Sequence, residues 1–295
     1  MTGTSMPPPG WRPIGGATLL AGVIGWPVAH SRSPLLHNFW LARHGIDGAY
    51  VPLPVRPGDF AAAARGLGAA GFRGANVTIP HKEAAFAIAD DLHRSARRSG
   101  SVNTLVFGVD GRIAARSTDG DGFVASLQGK GVDVDRGPVL LLGAGGGARA
   151  IAASLLDRGI AVSIANRTRA RAESLAEALG SEGGRIAVID WERWADSLAD
   201  HALLVNTTSL GMHGGPDGPF MPDLSAAAPD LVVSDIVYVP RRTPLLCAAA
   251  ARGLTAVEGA GMLLHQARLS FHAWFGVDPV VDAEIEALLD ADLAR

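Results

Sequence analysis

The chain has 295 residues, which at about 150 residues per domain predicts two domains, each large enough for its own buried core. Hydrophobic residues make up 48% of the chain and charged residues 19%, a balance that argues against long disordered stretches. The 26 basic and 29 acidic residues give a net charge of −3, so neither nucleic acid nor an anionic membrane surface is an expected partner.

Cysteine content and apolar runs indicate the compartment. A single cysteine, Cys247, cannot form an internal disulfide, which fits a reducing environment. The longest apolar run, from Leu19 to Ala29, is interrupted by Pro27 and is shorter than the roughly 18 residues of a membrane helix. The first residues are rich in Thr, Pro and Gly and do not resemble a secretory signal. We therefore expect a cytoplasmic protein with a mobile N-terminal tail over 1–17.

The first half alternates strand-like apolar runs with alanine- and leucine-rich stretches of helical length. This alternation predicts an α/β fold in which βαβ units build mostly parallel sheets. The predicted strands are Leu19–Gly25, Ala49–Leu53 and Gly74–Ile79; the predicted helices are Pro34–His44, Asp59–Gly68, Pro80–Leu92 and Gly122–Gln128. A hairpin is predicted from Leu105–Val109 and Arg112–Ala114, around the Asp110-Gly111 turn.

The second half begins a different series at Pro138. A strand, a glycine-rich turn, a helix and a second strand follow one another, which is typical of a Rossmann-type dinucleotide-binding domain. Further strands are predicted at Ala202–Asn206, Leu231–Ile236 and Thr255–Val257, and terminal helices at Met262–Trp274 and Asp282–Leu293. The predicted organisation is a substrate domain over 18–118, a nucleotide domain over 119–256, and C-terminal helices over 257–295 that return to the substrate domain.

The glycine-rich turn predicts a nucleotide site. The strand Val139–Leu142 leads directly into Gly143-Ala144-Gly145-Gly146-Gly147-Ala148, which opens the predicted helix Arg149–Arg158. In this G-x-G-x-x-A pattern Gly143 makes the tight turn, Gly145 lets the backbone approach a pyrophosphate, and Ala148 allows close helix–strand packing. A glycine-rich turn without a ligand is the alternative. The flanking strand and helix, and a second strand at Ile160–Ala165, favour the nucleotide site.

The end of that second strand indicates which dinucleotide is bound. An NAD site usually places an acidic residue there, whereas this chain has Asn166-Arg167-Thr168-Arg169-Ala170-Arg171. Arginines can bind a 2′-phosphate through charge-assisted hydrogen bonds, so the pattern favours NADP over NAD. The alternative is a solvated basic start of a helix.

Lys82 is a candidate proton donor. It follows Pro80 near the start of a predicted helix, where the positive end of the helix dipole disfavours an ammonium ion. Such a position suits a group that releases a proton near neutral pH. An exposed lysine tolerated at small cost is the alternative. Asp119, which follows a predicted strand, could orient the ammonium or could simply be a turn or capping residue.

Two hydroxyls are candidates for binding an anionic substrate. Ser31 and Ser33 follow the first strand and precede a helix, and Ser33 is predicted to cap that helix. A helix start carrying two hydroxyls would suit a substrate carboxylate.

The residues that carry these motifs resemble shikimate dehydrogenases. The two segments 25–34 (GWPVAHSRSP) and 76–82 (NVTIPHK) look like the substrate-site signatures of that family, and further blocks agree with it in order and spacing. Those blocks are 101–104, 118–120, 143–148, 166–168, 206–208, 235–244 and 261–267. The resemblance covers roughly Leu19 to the C-terminus. Ser117 and Gly147 depart from the commonest family pattern, at positions where asparagine and alanine are usual.

The resemblance implies NADP-dependent interconversion of 3-dehydroshikimate and shikimate, a step toward chorismate and the aromatic amino acids. We expect a monomer or homodimer. The resemblance also implies a catalytic pair formed by Lys82 and Asp119. The implied substrate-binding residues are Ser31, Ser33, Thr78, Asn103, Tyr238 and Gln266. The implied cofactor contacts, besides the glycine-rich turn, are Asn166, Arg167, Thr168, Arg171, Thr207, Thr208, Gly259 and Met262. No metal site is expected.

Three rival functions remain open. A broader quinate/shikimate dehydrogenase is the nearest, since one added hydroxyl can be worth only about a hundredfold in discrimination. A non-catalytic sensor of shikimate or nucleotide is disfavoured because both Lys82 and Asp119 are retained. The third is a different two-domain Rossmann enzyme, such as a folate dehydrogenase or a tRNA-dependent reductase. The Ser31-x-Ser33 block and Gln266 are not what either of these enzymes would need.

Overall fold

Two six-stranded sheets organise the protein, and a computed structural model describes residues 14–180, 185–213 and 220–294. Most of the predicted tail, residues 1–13, therefore lies outside the described part. The first sheet contains β1 (Leu19–Gly25), β2 (Gly48–Pro54), β3 (Phe72–Val77), β4 (Asp91–Leu92), β5 (Thr104–Phe107) and β6 (Ile113–Arg116), in the order β2-β1-β3-β5-β6-β4. β1 pairs with β2 and β3 in parallel, while β5 runs antiparallel to β3 and β6.

The helices of the first half are α1 (Ser33–Arg43), α2 (Phe60–Ala69), α3 (Lys82–Ile88) and α4 (Arg94–Ser99). α1 follows β1 after a short loop, and α3 follows β3 in the same way. In both cases the start of the helix lies at the carboxyl end of a strand, where ligands of α/β folds bind.

The second sheet is entirely parallel and has the Rossmann strand order. Its strands are β7 (Val139–Leu142), β8 (Val162–Ala165), β9 (Ile186–Ile189), β10 (Leu203–Asn206), β11 (Val232–Asp235) and β12 (Thr255–Val257), in the order β12-β11-β10-β7-β8-β9. Its helices are α5 (Asp119–Gly129), α6 (Gly146–Asp157), α7 (Arg169–Gly180) and α8 (Pro244–Ala251). The order reverses between β7 and β10, which is the expected crevice for a dinucleotide.

The C-terminal helices pack on the first sheet. α9 (Ala260–Phe275) and α10 (Ala283–Leu293) share a buried core with α1, in which Trp40, Phe271, Ile285 and Leu289 are almost fully enclosed. The indole Nε1 of Trp274 donates to a backbone carbonyl of β5 at 2.8 Å. These helices therefore complete the hydrophobic core of the first half, as a segment without strands of its own must.

α5 lies where the two halves meet. One face of α5 contributes apolar side chains to the core of the second sheet, and another packs on α9. The close approach requires glycine: a Cβ at Gly122 would lie 2.6 Å from the backbone nitrogen of Gln266, and a Cβ at Gly120 would lie 2.3 Å from the carbonyl oxygen of Ala150 on α6. The first residue of α5 is thereby held between α6 and α9.

The prediction of one helix over Pro80–Leu92 is wrong. α3 ends at Ile88, because Ala89 takes an extended conformation and the next residues pair with the first sheet. Asp90 is held there by two hydrogen bonds: its backbone nitrogen donates to the carbonyl of Ile113 at 2.9 Å, and its carboxylate accepts from the nitrogen of Ile113 at 2.9 Å. β4 and α4 follow, so long-range pairing overrides the local helical pattern.

Other boundaries also differ from the predictions. α1 begins at Ser33 and its N-cap residue is Arg32, so Ser33 does not cap it. α5 begins at Asp119, three residues earlier than predicted. α7 was foreseen only as the alternative of a basic helix start, and β9 was not predicted; β9 is only four residues long and mostly half-buried, which makes it a weak sequence signal.

In the part of the chain that is described, no helix is long and apolar enough to cross a bilayer.

Candidate active site

A cleft of about 630 Å³ is lined by residues from both halves of the chain. Its walls come from the loop after β1, the end of β3, the starts of α3 and α5, the loop after β11 and the first turns of α9. Ten of the residues predicted for the site line it: Ser31, Ser33, Thr78, Lys82, Asn103, Asp119, Tyr238, Gly259, Met262 and Gln266. Residues 143–148, 166–171 and 207–208 lie outside this cleft's lining.

Lys82 and Asp119 form an ion pair in the cleft, with Lys82 Nζ 2.5 Å from Asp119 Oδ2. Both are the first residues of their helices, and both side chains are largely enclosed, at 24% and 12% exposed. They are 37 positions apart in the chain. The short contact places an ammonium donor beside a carboxylate that orients it, which is an arrangement able to transfer a proton to or from a bound ligand.

Asn103 fixes the other oxygen of Asp119. Its Nδ2 donates to Asp119 Oδ1 at 2.8 Å and lies 3.3 Å from Gln266 Oε1, while its Oδ1 accepts from the backbone nitrogen of Thr118 at 2.8 Å. Asn103 is buried, and Gln266 is held by a bond from its Nε2 to the carbonyl of Leu263 at 2.9 Å. The carboxylate of Asp119 is therefore bound on both oxygens by donors.

The serine loop forms another wall of the cleft. The backbone nitrogen of Ser33 donates to Ser31 Oγ at 3.3 Å, so the two hydroxyls are held in one tight turn before α1. Arg32 also lines the cleft and pairs with Asp292 of α10, with Nε 2.6 Å from the carboxylate. Burial raises the pKa of Tyr238, and Arg32 opposes that shift, so the phenol stays neutral. This wall therefore presents the neutral hydroxyls of Ser31, Ser33 and Tyr238 beside an arginine whose charge is balanced by Asp292.

The glycine-rich turn leaves its backbone open at the carboxyl end of β7. Gly143 has a left-handed φ of 112°, and a Cβ there would lie 2.6 Å from Thr207 Oγ1, so glycine is required. Gly145 and Gly146 have nothing within 4 Å of a Cβ position, whereas Ala148 is fully buried against the sheet. The free backbone at the start of α6 fits the pyrophosphate of a dinucleotide.

Thr207 and Thr208 lie beside this turn, at the end of β10. Thr207 Oγ1 donates to the carbonyl of Leu142 at 2.7 Å, and Thr208 Oγ1 donates to Asn206 Oδ1 at 2.6 Å. Both residues are half-buried. Both side chains lie against Gly143, so they contact the first residue of the glycine-rich turn.

The basic stretch after β8 is exposed, but its arginines are not equivalent. Asn166 Nδ2 donates to the carbonyl of Thr168 at 2.8 Å, which turns the chain into α7. Arg167, Arg169 and Arg171 are all exposed, and Arg169 is bound by Glu173 at 2.8 Å and by Asp190. The sequence pattern did not distinguish Arg169, whose two acidic partners come from α7 and from the segment after β9.

Asn76 and Met212 line the cleft and were not among the predicted site residues. Asn76 is buried at the end of β3, where its Oδ1 accepts from the hydroxyl of Tyr50 at 2.7 Å. A buried amide at the carboxyl end of an apolar strand is the signal that could have identified it. Met212 offers no such signal. Among the described residues, no group of three or more His, Cys, Asp or Glu side chains could hold a metal ion.

Comparisons with known proteins identify the family of this chain. Residues 23–105 match the family model of the shikimate dehydrogenase substrate binding domain, and residues 126–211 match that of shikimate/quinate 5-dehydrogenase. The shikimate dehydrogenase (NADP⁺) of Acidiphilium cryptum is 58% identical over 280 residues, which cover 95% of this chain and 99% of the relative. That of Gluconobacter oxydans is 56% identical over 280 residues, with 95% and 98% coverage.

Solved structures show the same architecture. The shikimate 5-dehydrogenase of Listeria monocytogenes, in complex with shikimate and NAD, has a TM-score of 0.88 at 32% identity and covers 94% of this chain and 99% of its own. That of Thermus thermophilus, in complex with NADP(H) and shikimate, has a TM-score of 0.82 at 34% identity, with 93% and 100% coverage. The protein described above therefore belongs to the shikimate dehydrogenase family of NADP-dependent oxidoreductases.

Proposed function

We propose that the protein catalyses the reversible NADP-dependent reduction of 3-dehydroshikimate to shikimate, in the biosynthesis of chorismate and the aromatic amino acids. The observation that carries the proposal is the Lys82–Asp119 ion pair, which lies in a cleft whose wall presents the two serine hydroxyls. A protein that only binds shikimate needs groups that hold the substrate but no proton donor beside it. The Lys82–Asp119 pair therefore supports an enzyme rather than a sensor.

The residues of the cleft divide the work of the reaction. The nicotinamide, when bound, supplies the hydride in reduction and accepts it in oxidation. Lys82 donates a proton to the ring carbonyl oxygen as the alcohol forms, and takes it back in the reverse direction. Asp119, held by Asn103 and Lys82, keeps the ammonium aimed at that oxygen.

Substrate orientation is assigned to the neutral polar groups of the cleft. Ser31 and Ser33 bind the carboxylate, with Tyr238 close by. Ring hydroxyls are held by Thr78, Asn103 and Gln266. The helix α1 begins at Ser33, and its positive end adds to the attraction for the carboxylate.

The cofactor is assigned to the second sheet. The open backbone at residues 143–148 holds the pyrophosphate, and Ala148 keeps α6 tight against the sheet. Arg167, Thr168 and Arg171 hold the adenosine 2′-phosphate, with Asn166 beside them, and no acidic residue follows β8 directly to repel it. The nicotinamide end is assigned to Gly259 and Met262, which line the cleft, and to Thr207 and Thr208, which contact the glycine turn.

The domain boundaries are part of the same proposal. The segment 18–118 with 257–295 forms the substrate domain, and 119–256 forms the cofactor domain. The separate apolar cores of the two sheets support this division, as does the packing of α9 and α10 with α1. We further propose that the enzyme works in the cytoplasm as a monomer or homodimer.

The test is an initial-rate assay of nicotinamide reduction by the purified protein. Shikimate or quinate is offered as substrate and NADP or NAD as acceptor, in all combinations. We expect turnover with shikimate and NADP and much less with the other three pairs. Comparable rates with quinate would replace the proposal by a quinate/shikimate dehydrogenase. Shikimate binding without turnover would instead indicate a sensor.

A further inference from the structure

Two buried hydroxyls lie behind the cleft wall and do not line the cleft. Thr104, on β5, and Ser270, on α9, are both fully enclosed, and their Oγ atoms are 2.7 Å apart. They are 166 positions apart in the chain, and they meet because α9 packs on the first sheet. Neither hydroxyl can contact a substrate, so any effect on the reaction must act through neighbouring side chains.

At one end the pair contacts Asn103. The carboxylate of Asp119 accepts hydrogen bonds and cannot donate them, so the atom of Asn103 that faces it must be Nδ2. Asn103 Oδ1 then faces Thr104 Oγ1 at 3.1 Å. Thr104 can donate its one proton to Asn103, and the 2.7 Å contact is then made by Ser270 donating to Thr104, which lies closer to Ser270 Oγ than its other acceptor, the carbonyl of Gln266 at 3.2 Å.

At the other end the pair contacts Asn76. Since Ser270 donates to Thr104, its oxygen is free to accept from Asn76 Nδ2 at 2.9 Å. The same Nδ2 lies 3.1 Å from the carbonyl oxygen of Asn103 and 3.3 Å from Thr104 Oγ1, so Ser270 is its nearest acceptor. That orientation directs Asn76 Oδ1 to the hydroxyl of Tyr50, which donates to it at 2.7 Å. Burial raises the pKa of Tyr50 well above its usual value, so its proton stays in place.

We propose that the Thr104–Ser270 hydroxyl pair is a positioning device that fixes the side-chain amides of the two cleft asparagines, Asn76 and Asn103. The donors then run in one direction, from Tyr50 through Asn76, Ser270, Thr104 and Asn103 to the carboxylate of Asp119. Each bond polarises the next in such a chain, so the last donor binds the carboxylate more strongly than an isolated amide would. The inference rests on the proposed role of Asp119 as partner of Lys82.

Matched substitutions test the kinetic part. Thr104→Val removes the hydroxyl but keeps the shape of the side chain, and Thr104→Ser keeps the hydroxyl. Ser270→Ala removes the one hydroxyl that α9 contributes to the series of hydrogen bonds. We expect Thr104→Val and Ser270→Ala each to lower kcat for shikimate oxidation roughly three- to tenfold, the size expected for one lost hydrogen bond, with the KM for NADP unchanged. Thr104→Ser should keep at least about half of the wild-type kcat.

The double variant tests whether the two hydroxyls act as one unit. Combining Thr104→Val with Ser270→Ala should cost no more in kcat than the larger single change, because either change already interrupts the chain. Multiplying effects would show two independent contributions and would overturn the proposal, as would an unchanged kcat in both single variants.

A measurement independent of activity follows the amides themselves. The chain has five asparagines, so selective ¹⁵N-asparagine labelling gives few side-chain amide signals, each assignable by substitution. In Thr104→Val and in Ser270→Ala the signals of Asn76 and Asn103 should move and their amide protons should exchange faster. Those of Asn38 and Asn206 should not change. If the signals of Asn76 and Asn103 do not move, the inference is overturned even when the enzyme is active. If the wild type shows no turnover, the proposed function is overturned, and the amide signals still test the inference.

Discussion

Lys82 is one of two lysines in the chain, which makes its role easy to isolate. Lys82→Ala should lower kcat by a factor of order 10² to 10⁴, because a positioned general acid is lost, with shikimate binding largely kept. The measurements are steady-state kinetics and calorimetric titration of shikimate. Lys130→Ala is the control, since Lys130 is an exposed partner of Glu286 at 3.1 Å. A Lys82→Ala enzyme with normal kcat would remove Lys82 from the mechanism.

Arg167, which precedes α7, and Arg169, its first residue, allow a matched test of cofactor choice. Arg167→Ala should weaken NADP binding by roughly tenfold or more and leave NAD binding nearly unchanged, since only NADP carries the 2′-phosphate. Arg169→Ala should change neither, because Arg169 is bound by Glu173 and Asp190. Dissociation constants for both nucleotides measure this. Equal losses of NADP and NAD in Arg167→Ala would refute the 2′-phosphate assignment.

At the scale of elements, the candidate site is built from helix starts. Ser33, Lys82 and Asp119 are the first residues of α1, α3 and α5. A helix that follows a strand begins at the strand's carboxyl end, so the topology brings these residues to one edge of the sheet. The positive ends of the eleven-residue helices α1 and α5 favour negative charge, which suits Asp119 and a substrate carboxylate.

The packing of α9 on the first sheet depends on Gly74 of β3. A Cβ at Gly74 would lie 2.1 Å from Trp274 Nε1 and 2.2 Å from the carbonyl oxygen of Leu105, so Gly74→Ala must displace the helix or the strand. We expect a loss of about 1–3 kcal/mol in the free energy of unfolding, measured by urea denaturation.

A second glycine provides the control for that substitution. Gly66 lies in α2 with nothing within 4 Å of a Cβ position, so Gly66→Ala should stabilise the protein by about 0.5–1 kcal/mol through helix propensity alone. If Gly74→Ala were as stable as Gly66→Ala, the placement of α9 against β3 and β5 would be wrong.

At the scale of the whole molecule, the core that joins α1 to the C-terminal helices contains a histidine. His37 is fully buried and stacks on Tyr50 with ring centroids 4.1 Å apart. Neither of its ring nitrogens has a hydrogen-bond partner of good geometry among the described residues. Burial lowers the pKa of His37 to about 3, and the nearby Asn76 opposes that shift.

This histidine makes global stability sensitive to acid. The unfolded chain binds a proton at His37 below about pH 6.5, while the folded state resists it until about pH 3. The free energy of unfolding should therefore be unaffected by His37 above pH 6.5 and fall by up to roughly 1.4 kcal/mol per pH unit below it. His37→Phe, which keeps an aromatic ring in the stack, should flatten this slope.

Urea denaturation between about pH 5 and pH 7.5 measures the effect, with the exposed His272→Gln as control. Between pH 7.5 and about pH 5 the wild type should lose roughly 2 kcal/mol more free energy of unfolding than His37→Phe does. Parallel pH profiles of the wild type and His37→Phe would show that His37 is protonated in the folded state.

Local pattern determined much of this protein from the sequence alone. Apolar runs ended by glycine or proline predicted the α/β class and most strands, because strand and helix periodicity and turn chemistry are properties of neighbouring residues. The strand–glycine–helix motif at 139–148 predicted the Rossmann half, and the blocks around Ser31 and Lys82 indicated the family. The residues so identified for the substrate lie in one cleft.

Contacts between distant segments were decided by the tertiary structure. The helix α3 ends early because the following residues pair with β6. Arg169 forms an ion pair with Asp190, which lies beyond the next strand. The Thr104–Ser270 pair forms because α9 packs on β5. His37 reads locally as one polar residue in a helix, and its burial arises because α9 covers it. Sequence pattern reports which face of an element is apolar, but which side chains meet across elements depends on how those faces pack, and that is determined by the fold as a whole.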